Sequence, residues 1–448
     1  MTSRGDPLKF AMRGDWQGLA VWVAVCVLFL AKAPDCAGQA VVISDPNLEQ
    51  AIREALNKPS GDLTTDDLQQ LTTLSAPSSG ITSLDGFTTA SNLVALDLNY
   101  NALSTVTLGP GFSKLEFANF RGNGITNFTA TGLLPSLTQL QLSENLLTNV
   151  AFLLQMPLLT FLDLDYNELS AFDTGPGIGR LTWLNLAFNY VQNLDFVSRQ
   201  PQLQNLFLDD NGLTNVVFPG PLTNLTYLTL DVNRISDLTF LRLVPNLKRL
   251  ELASNFAQNY EFPMGLTNLT FLNLAQNHLT NVVFAPDLTN VTSLYLDDNR
   301  FTDLPDLLAL YSIQNLYLQQ NQFGQVTIPY SLTNLTVLQV DFNPLNQIIL
   351  PEVIATNSLA GLVQDLTNGG TSVLTFPFPP LLVGPAKGAS DSFQFDLHGP
   401  PGNYDILSSG NLTSWSLEGR ATNATVSVSY TNFGSTVLGG AYYRAQFK

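Results

Sequence analysis

Apolar and polar positions along most of this chain recur with a fixed step. An asparagine stands at Asn101, Asn123, Asn145, Asn167, Asn189, Asn211, Asn233, Asn255, Asn277, Asn299, Asn321 and Asn343, always 22 residues apart. Around each runs the frame L-x-x-L-x-L-x-x-N-x-L, as at Leu203, Leu206, Leu208, Asn211 and Leu213. A weaker unit in the same register precedes the series at Leu71, Leu74, Ala76, Ser79 and Ile81. The Leu-x-Leu alternation predicts a short strand with one buried face, and the other leucines point into the same interior. Amphipathic helices do not fit, because their apolar face would drift against a strict step of 22. No unit can bury its apolar face alone, so the units stack as coils around one core. About thirteen such coils make a parallel sheet roughly 60 Å long.

The asparagine falls where the chain leaves the strand and turns. Its amide donates and accepts, so a column of them is expected to satisfy the backbone that the turn buries. The return segments are of two kinds. One resembles Val217-Phe218-Pro219 followed by Leu222-Thr223-Asn224-Leu225; the other resembles Leu238-Thr239-Phe240-Leu241 before Pro245. Neither has room for more than a short helical turn, so the convex side is expected to be extended or 3₁₀.

An array exposes its core at each end unless capped. Asp45 and Pro46 open a predicted helix with Leu48, Ile52, Ala55 and Leu56 on one stripe, and residues 66–71 read as a second short helix. After Asn343 the frame decays, leaving a degenerate coil at Leu359, Leu362 and Leu366. Residues 367–389, with Pro377, Pro379 and Pro380, read as a stiff connection. From Ser390 the alternation in Phe393-Gln394-Phe395-Asp396-Leu397 and Thr425-Val426-Ser427-Val428 predicts a small antiparallel β domain.

The frame, its period and the opening segment resemble the internalin-type leucine-rich repeats of bacterial surface and secreted proteins. That segment is Leu48-Glu49-Gln50-Ala51-Ile52-Arg53, then Leu63-Thr64-Thr65-Asp66-Asp67-Leu68 and Ile81-Thr82-Ser83-Leu84-Asp85-Gly86. The resemblance spans about residues 41–365. It implies an α/β-type repeat solenoid: a leucine-rich-repeat horseshoe with its parallel β-sheet on the concave face, a helical N-terminal cap and a small all-β C-terminal domain. The stretch from Gly399-Pro400-Pro401-Gly402 through Asn411-Leu412 and Trp415 to Tyr442-Tyr443-Arg444-Ala445 is similar to a β module on secreted proteins of some environmental Gram-negative bacteria. The expected divisions are a leader at 1–40, a cap at 41–70, repeats at 71–366, a connection at 367–389 and the β domain at 390–448.

Composition narrows the function. The chain carries 19 basic against 36 acidic residues, for a net charge of −17. Phosphate neutralisation by Lys and Arg drives most nucleic-acid affinity, so nucleic acid and anionic lipid are disfavoured partners. Arg4, Lys9 and Arg13 precede an apolar run from Leu19 to Ala31 and small residues at Ala37, Gly38 and Ala40. This is the order of a secretory signal peptide, and the apolar run is too short for a comfortable membrane span. A retained anchor is the alternative, and Met12 is an alternative start. Both cysteines, Cys26 and Cys36, lie in this leader, so an exported chain would hold none.

Catalytic parts are not apparent. The only histidines, His278 and His398, fall in different expected domains, and no H-E-x-x-H, C-x-x-C or G-x-S-x-G occurs. Gly175-Pro176-Gly177-Ile178-Gly179 matches the repeat position of Gly109-Pro110-Gly111, so it reads as a convex turn rather than a phosphate loop. No catalytic group, cofactor or metal is expected.

Variation concentrates on the outward face of the strands. Counting from the first leucine of the frame, third positions carry Phe117, Phe161, Trp183, Tyr227 and Phe271. Fifth positions carry Phe207, Tyr295 and Tyr317, and eighth positions Tyr100, Tyr166, Phe188 and Phe342. Seventh positions carry Asp165, Asp209, Asp231, Asp297 and Asp341. Aromatic columns beside carboxylates suit a protein with exposed Lys or Arg, or a glycan stacking on rings. The reading is therefore a secreted or cell-surface binding protein, expected as a monomer, whose concave face takes a protein ligand. A glycan ligand is the alternative, and an enzyme a remote one.

Overall fold

The structure is a computed structural model that describes residues 38–448 except 174, 176–177, 388–391 and 433–441. The expected leader, most of it, therefore lies outside the described residues, as does part of the Gly175–Gly179 turn.

Thirteen strands form one parallel sheet, from Thr73–Ser75 to Val337–Gln339, each three residues long. Pairing steps by one repeat throughout: Leu162 lies opposite Leu184, Leu184 opposite Leu206, Leu206 opposite Leu228. The central residue of each strand, leucine in all but Ala118, is buried, and its flanking residues are more open except Asn119 and Thr229.

The asparagine column does what its chemistry allows. Asn145 Nδ2 donates to the carbonyls of Phe120, Leu142 and Ser143 at 3.0–3.1 Å, while its Oδ1 accepts the Ile125 N–H at 3.0 Å. One amide thus closes its own turn and ties it to the preceding coil. Similar sets recur from Asn101 to Asn343. The convex side mixes 3₁₀ turns, at Ala151–Gln155, Asp195–Arg199 and Thr239–Leu243, with two-residue-periodic strands such as Asn259–Glu261 paired to Asn281–Val283. Buried phenylalanines fill it, Phe128 lying 4.7 Å from Phe152 and Phe172 4.8 Å from Phe196.

Helix α1 (Pro46–Ala55) closes the first coil, burying Leu48 and Ile52. Asp45 caps it, accepting the Asn47 and Leu48 N–H groups at 2.9 Å, and its second oxygen accepts from the Thr82 backbone and hydroxyl at 2.7 Å. Burial pushes this carboxyl up, but the hydrogen bonds outweigh it and hold Asp45 below the usual carboxylate range. Helix α2 (Thr65–Leu68) carries a capping box between Thr64 and Asp67.

The C-terminal end departs from expectation. Leu359, Leu362 and Leu366 do not form another coil; they pack from the start and one face of helix α4 (Ala360–Asn368), which follows the short α3 (Glu352–Ala355). Their spacing suits a helix as well as a repeat. Residues 367–389 are not a bare connection either. Ser372–Phe376 joins the convex side as a strand parallel to Gln347–Pro351, and Leu381–Lys387 pairs antiparallel with Phe393–His398. The prolines that marked this stretch as a linker sit at strand ends, where a missing N–H removes no ladder bond. Beyond it, Phe393–His398 is the middle of one three-stranded sheet and Gly402–Ser409 of another, around Phe395, Leu397, Tyr404 and Ile406. Tyr330 of the solenoid stacks on Phe378 at 4.1 Å and meets Phe447 at 5.6 Å, which seats this β unit against the last coils.

Candidate binding face

Outward residues in a parallel, in-register sheet fall into columns one strand spacing apart, about 4.8 Å. At that distance rings from successive coils meet, two pairs stacked and three tilted by 39–47°. Phe161 and Trp183 lie 4.0 Å apart with planes 9° from parallel; Trp183 and Phe207 are 5.0 Å apart, Phe207 and Tyr227 5.1 Å. Further along, Phe271 meets Tyr295 at 5.1 Å and Tyr295 stacks on Tyr317 at 4.2 Å and 8°. The row switches between third and fifth positions as each coil supplies its ring.

The coil between Tyr227 and Phe271 has no ring at these positions. Arg249 fills the place: its guanidinium carbon lies 5.3 Å from the Tyr227 centroid and 3.4 Å from that of Phe271. Glu251 holds the guanidinium, with Arg249 Nε donating at 2.7 Å, and also accepts the Tyr227 hydroxyl at 3.1 Å. A flat cation thereby continues the stack. Phe161, Trp183, Phe207, Tyr227, Arg249, Phe271, Tyr295 and Tyr317 make one ridge over eight coils, roughly 34 Å from end to end. Arg249 and Glu251 were not among the expected site residues; the available signal was one basic residue in the column that holds Phe117, Phe161, Trp183, Tyr227 and Phe271. Phe117 stands outside the ridge, since Ala95 and Gln139 flank it in its column.

The carboxylates beside the ridge are partly committed to the backbone. Where the fifth position is Asn or Asp, its side chain accepts the seventh N–H of the same coil, as Asn185 does from Ala187 and Asn273 from Ala275, both at 3.0 Å. Thr229 and Glu251 do not make that bond. There the previous coil supplies the acceptor: Asp209 Oδ1 takes the Asp231 N–H at 2.7 Å, and Asp231 Oδ1 takes the Ala253 N–H at 2.6 Å. Asp209 also accepts the Thr229 hydroxyl at 2.6 Å. Burial, then the charges of Asp209 and Glu251, pushes Asp231 up to about 7. Asp165 rises to about 6, through burial and then the charge of Asp163. Burial also raises Asp163, Asp209 and Asp297. Asp341, near the end of the array, is exposed.

Among the described residues, no group of three or more His, Cys, Asp or Glu is placed to hold a metal ion. Among them, too, no helix is long and apolar enough to cross a membrane.

Solved structures share this architecture. The internalin InlF of Listeria monocytogenes str. 4b F2365 superposes with a TM-score of 0.57 at 23% identity, covering 74% of this chain and 95% of that one. The chain has an internalin-like leucine-rich-repeat fold. The leucine-rich-repeat domain of APL1B is also similar, with a TM-score of 0.50 at 21% identity, over 67% of this chain and 87% of that domain. No family model and no curated protein matches the chain. Within this internalin-like solenoid, what distinguishes the concave face is the continuous ridge of seven rings and Arg249.

Proposed function

We propose that this protein binds a protein ligand through the concave ridge, and that it does so outside the cell. The ridge carries the reading. Phe161 with Trp183 and Tyr295 with Tyr317 stack face to face, and the tilted contacts between the other rings cover further ring surface, so few flat faces are left open. A sugar binds aromatic residues by lying on a free ring face, so this row suits it poorly. A protein partner needs no free face. It can lay aliphatic or aromatic side chains along the ridge and set Lys or Arg beside the flanking carboxylates. Hot spots are enriched in Trp, Tyr and Arg, the residue types assembled here. The charged, apolar and small-residue order of residues 1–40 supports export.

Parallel screening of the full chain against a displayed random-peptide library and a glycan array tests the choice. The reading predicts enriched peptides that compete with one another and no retained glycan. Glycan binding that is lost on substituting Trp183 would replace it with the carbohydrate reading.

A further inference from the structure

The ridge has a companion on two coils. In each of the thirteen coils the eighth position has positive φ, between 46° and 65°. That conformation suits Gly, Asn or Asp and disfavours bulky side chains by about 1–2 kcal/mol. Yet Tyr166 (φ 50°) and Phe188 (φ 53°) occupy it on adjacent coils, and their rings stack at 4.0 Å and 9°. Tyr166 is still 50% exposed, so burial in the fold does not explain it. The same two coils carry Phe161 and Trp183, stacked with the same spacing and angle. Two stacked aromatic pairs therefore stand as walls on one pair of coils, five residues apart along the chain, so no more than about 17 Å separates their backbones.

Between the walls, on the Asn167 coil, lie Asp163 and Asp165. The Oδ1 of Asp165 is buried with no hydrogen-bond partner. Each carboxylate raises the other's demand for a counter-charge. Arg121, which also bears on them, is engaged by Glu144 at 2.5 Å and lies over the Tyr100 ring.

We infer that this trough seats a lysine or arginine side chain of the ligand, its aliphatic stem against the ring walls and its cationic head over Asp163 and Asp165. The carboxylates recognise the cationic head by charge, and the ring edges that border the trough pack against its apolar stem. The trough adjoins the ridge directly, through Phe161 and Trp183, so the same partner covers both. This rests on the protein-binding reading and adds where the ligand is anchored and with what charge.

Peptides selected on the wild-type chain from a displayed random library are the probe. Two variants test the trough. D163N/D165N keeps an oxygen acceptor for the Asp165 N–H, which now bonds Asp163 Oδ1 at 3.4 Å. Y166S/F188S places serine where Ser254 already adopts φ 57°, so the backbone tolerates it. The inference predicts selected peptides with Lys or Arg beside an apolar residue. It also predicts at least about tenfold weaker binding to both variants, with steep weakening by salt kept in the wild type and Y166S/F188S and lost in D163N/D165N. Peptides that lack a basic residue, or that bind D163N/D165N as tightly as wild type, overturn the trough while leaving ridge binding intact. No selectable peptide at all overturns both.

Discussion

Arg249 packs its guanidinium 3.4 Å from the centre of the Phe271 ring and takes the place of a ring in an aromatic row. The relationship depends on planarity as much as on charge. Replacing Arg249 by lysine keeps the charge and loses the plane, so R249K and R249A are expected to lose similar stability, about 1 kcal/mol. Urea unfolding measures this; an R249K curve overlying wild type would show that charge alone matters at this site.

The asparagine column predicts a loss graded by burial. Asn233 Nδ2 donates to the carbonyls of Leu208, Leu230 and Asp231, and its Oδ1 accepts from Asn211 and Leu213. Alanine there strands several groups in the interior, at about 1–3 kcal/mol for each left unpaired. Asn343 makes a similar set at the more open end of the column, where water can replace some bonds. N233A is therefore expected to lower the melting temperature well beyond N343A. Equal shifts would mean that the column contributes little beyond local turn geometry.

Asp231 predicts a pH dependence of stability. Its folded value, about 7, lies above the unfolded carboxylate value near 4. The native state therefore holds this proton more tightly, and the stabilisation present at low pH is lost as pH rises from about 4 through about 7. D231N keeps an oxygen for the Ala253 N–H and cannot ionise. Between about pH 5 and pH 8 its melting temperature is expected to fall less than that of the wild type. Parallel profiles would place the titration elsewhere.

Much of the fold was legible because the core repeats. Asn145, Leu162 and Leu184 sit where a 22-residue frame puts them, and Asp45 with Pro46 marked the cap in advance. Strand Ser372–Phe376 was hidden by the prolines after it and by lying outside the frame. The site was legible only as columns. That rings at third and fifth positions join into one row depends on strand spacing and ring orientation, which no frame encodes. Asp209 and Asp231 looked free for a ligand because their backbone bonds reach across coils and depend on Thr229 and Glu251 lacking a short amide or carboxylate. Arg249 looked like ordinary surface variation until its neighbours in space were known.

The ridge itself is the central claim, and the W183A/Y227A/F271A variant tests it most directly. Its substitutions lie on the outward face of the strands, so circular dichroism and cooperative unfolding are expected to persist. Affinity for peptides selected on the wild type should fall by at least about a hundredfold, since aromatic anchors dominate such interfaces. Undiminished affinity in a folded triple variant would contradict the account and move the binding surface off the concave face.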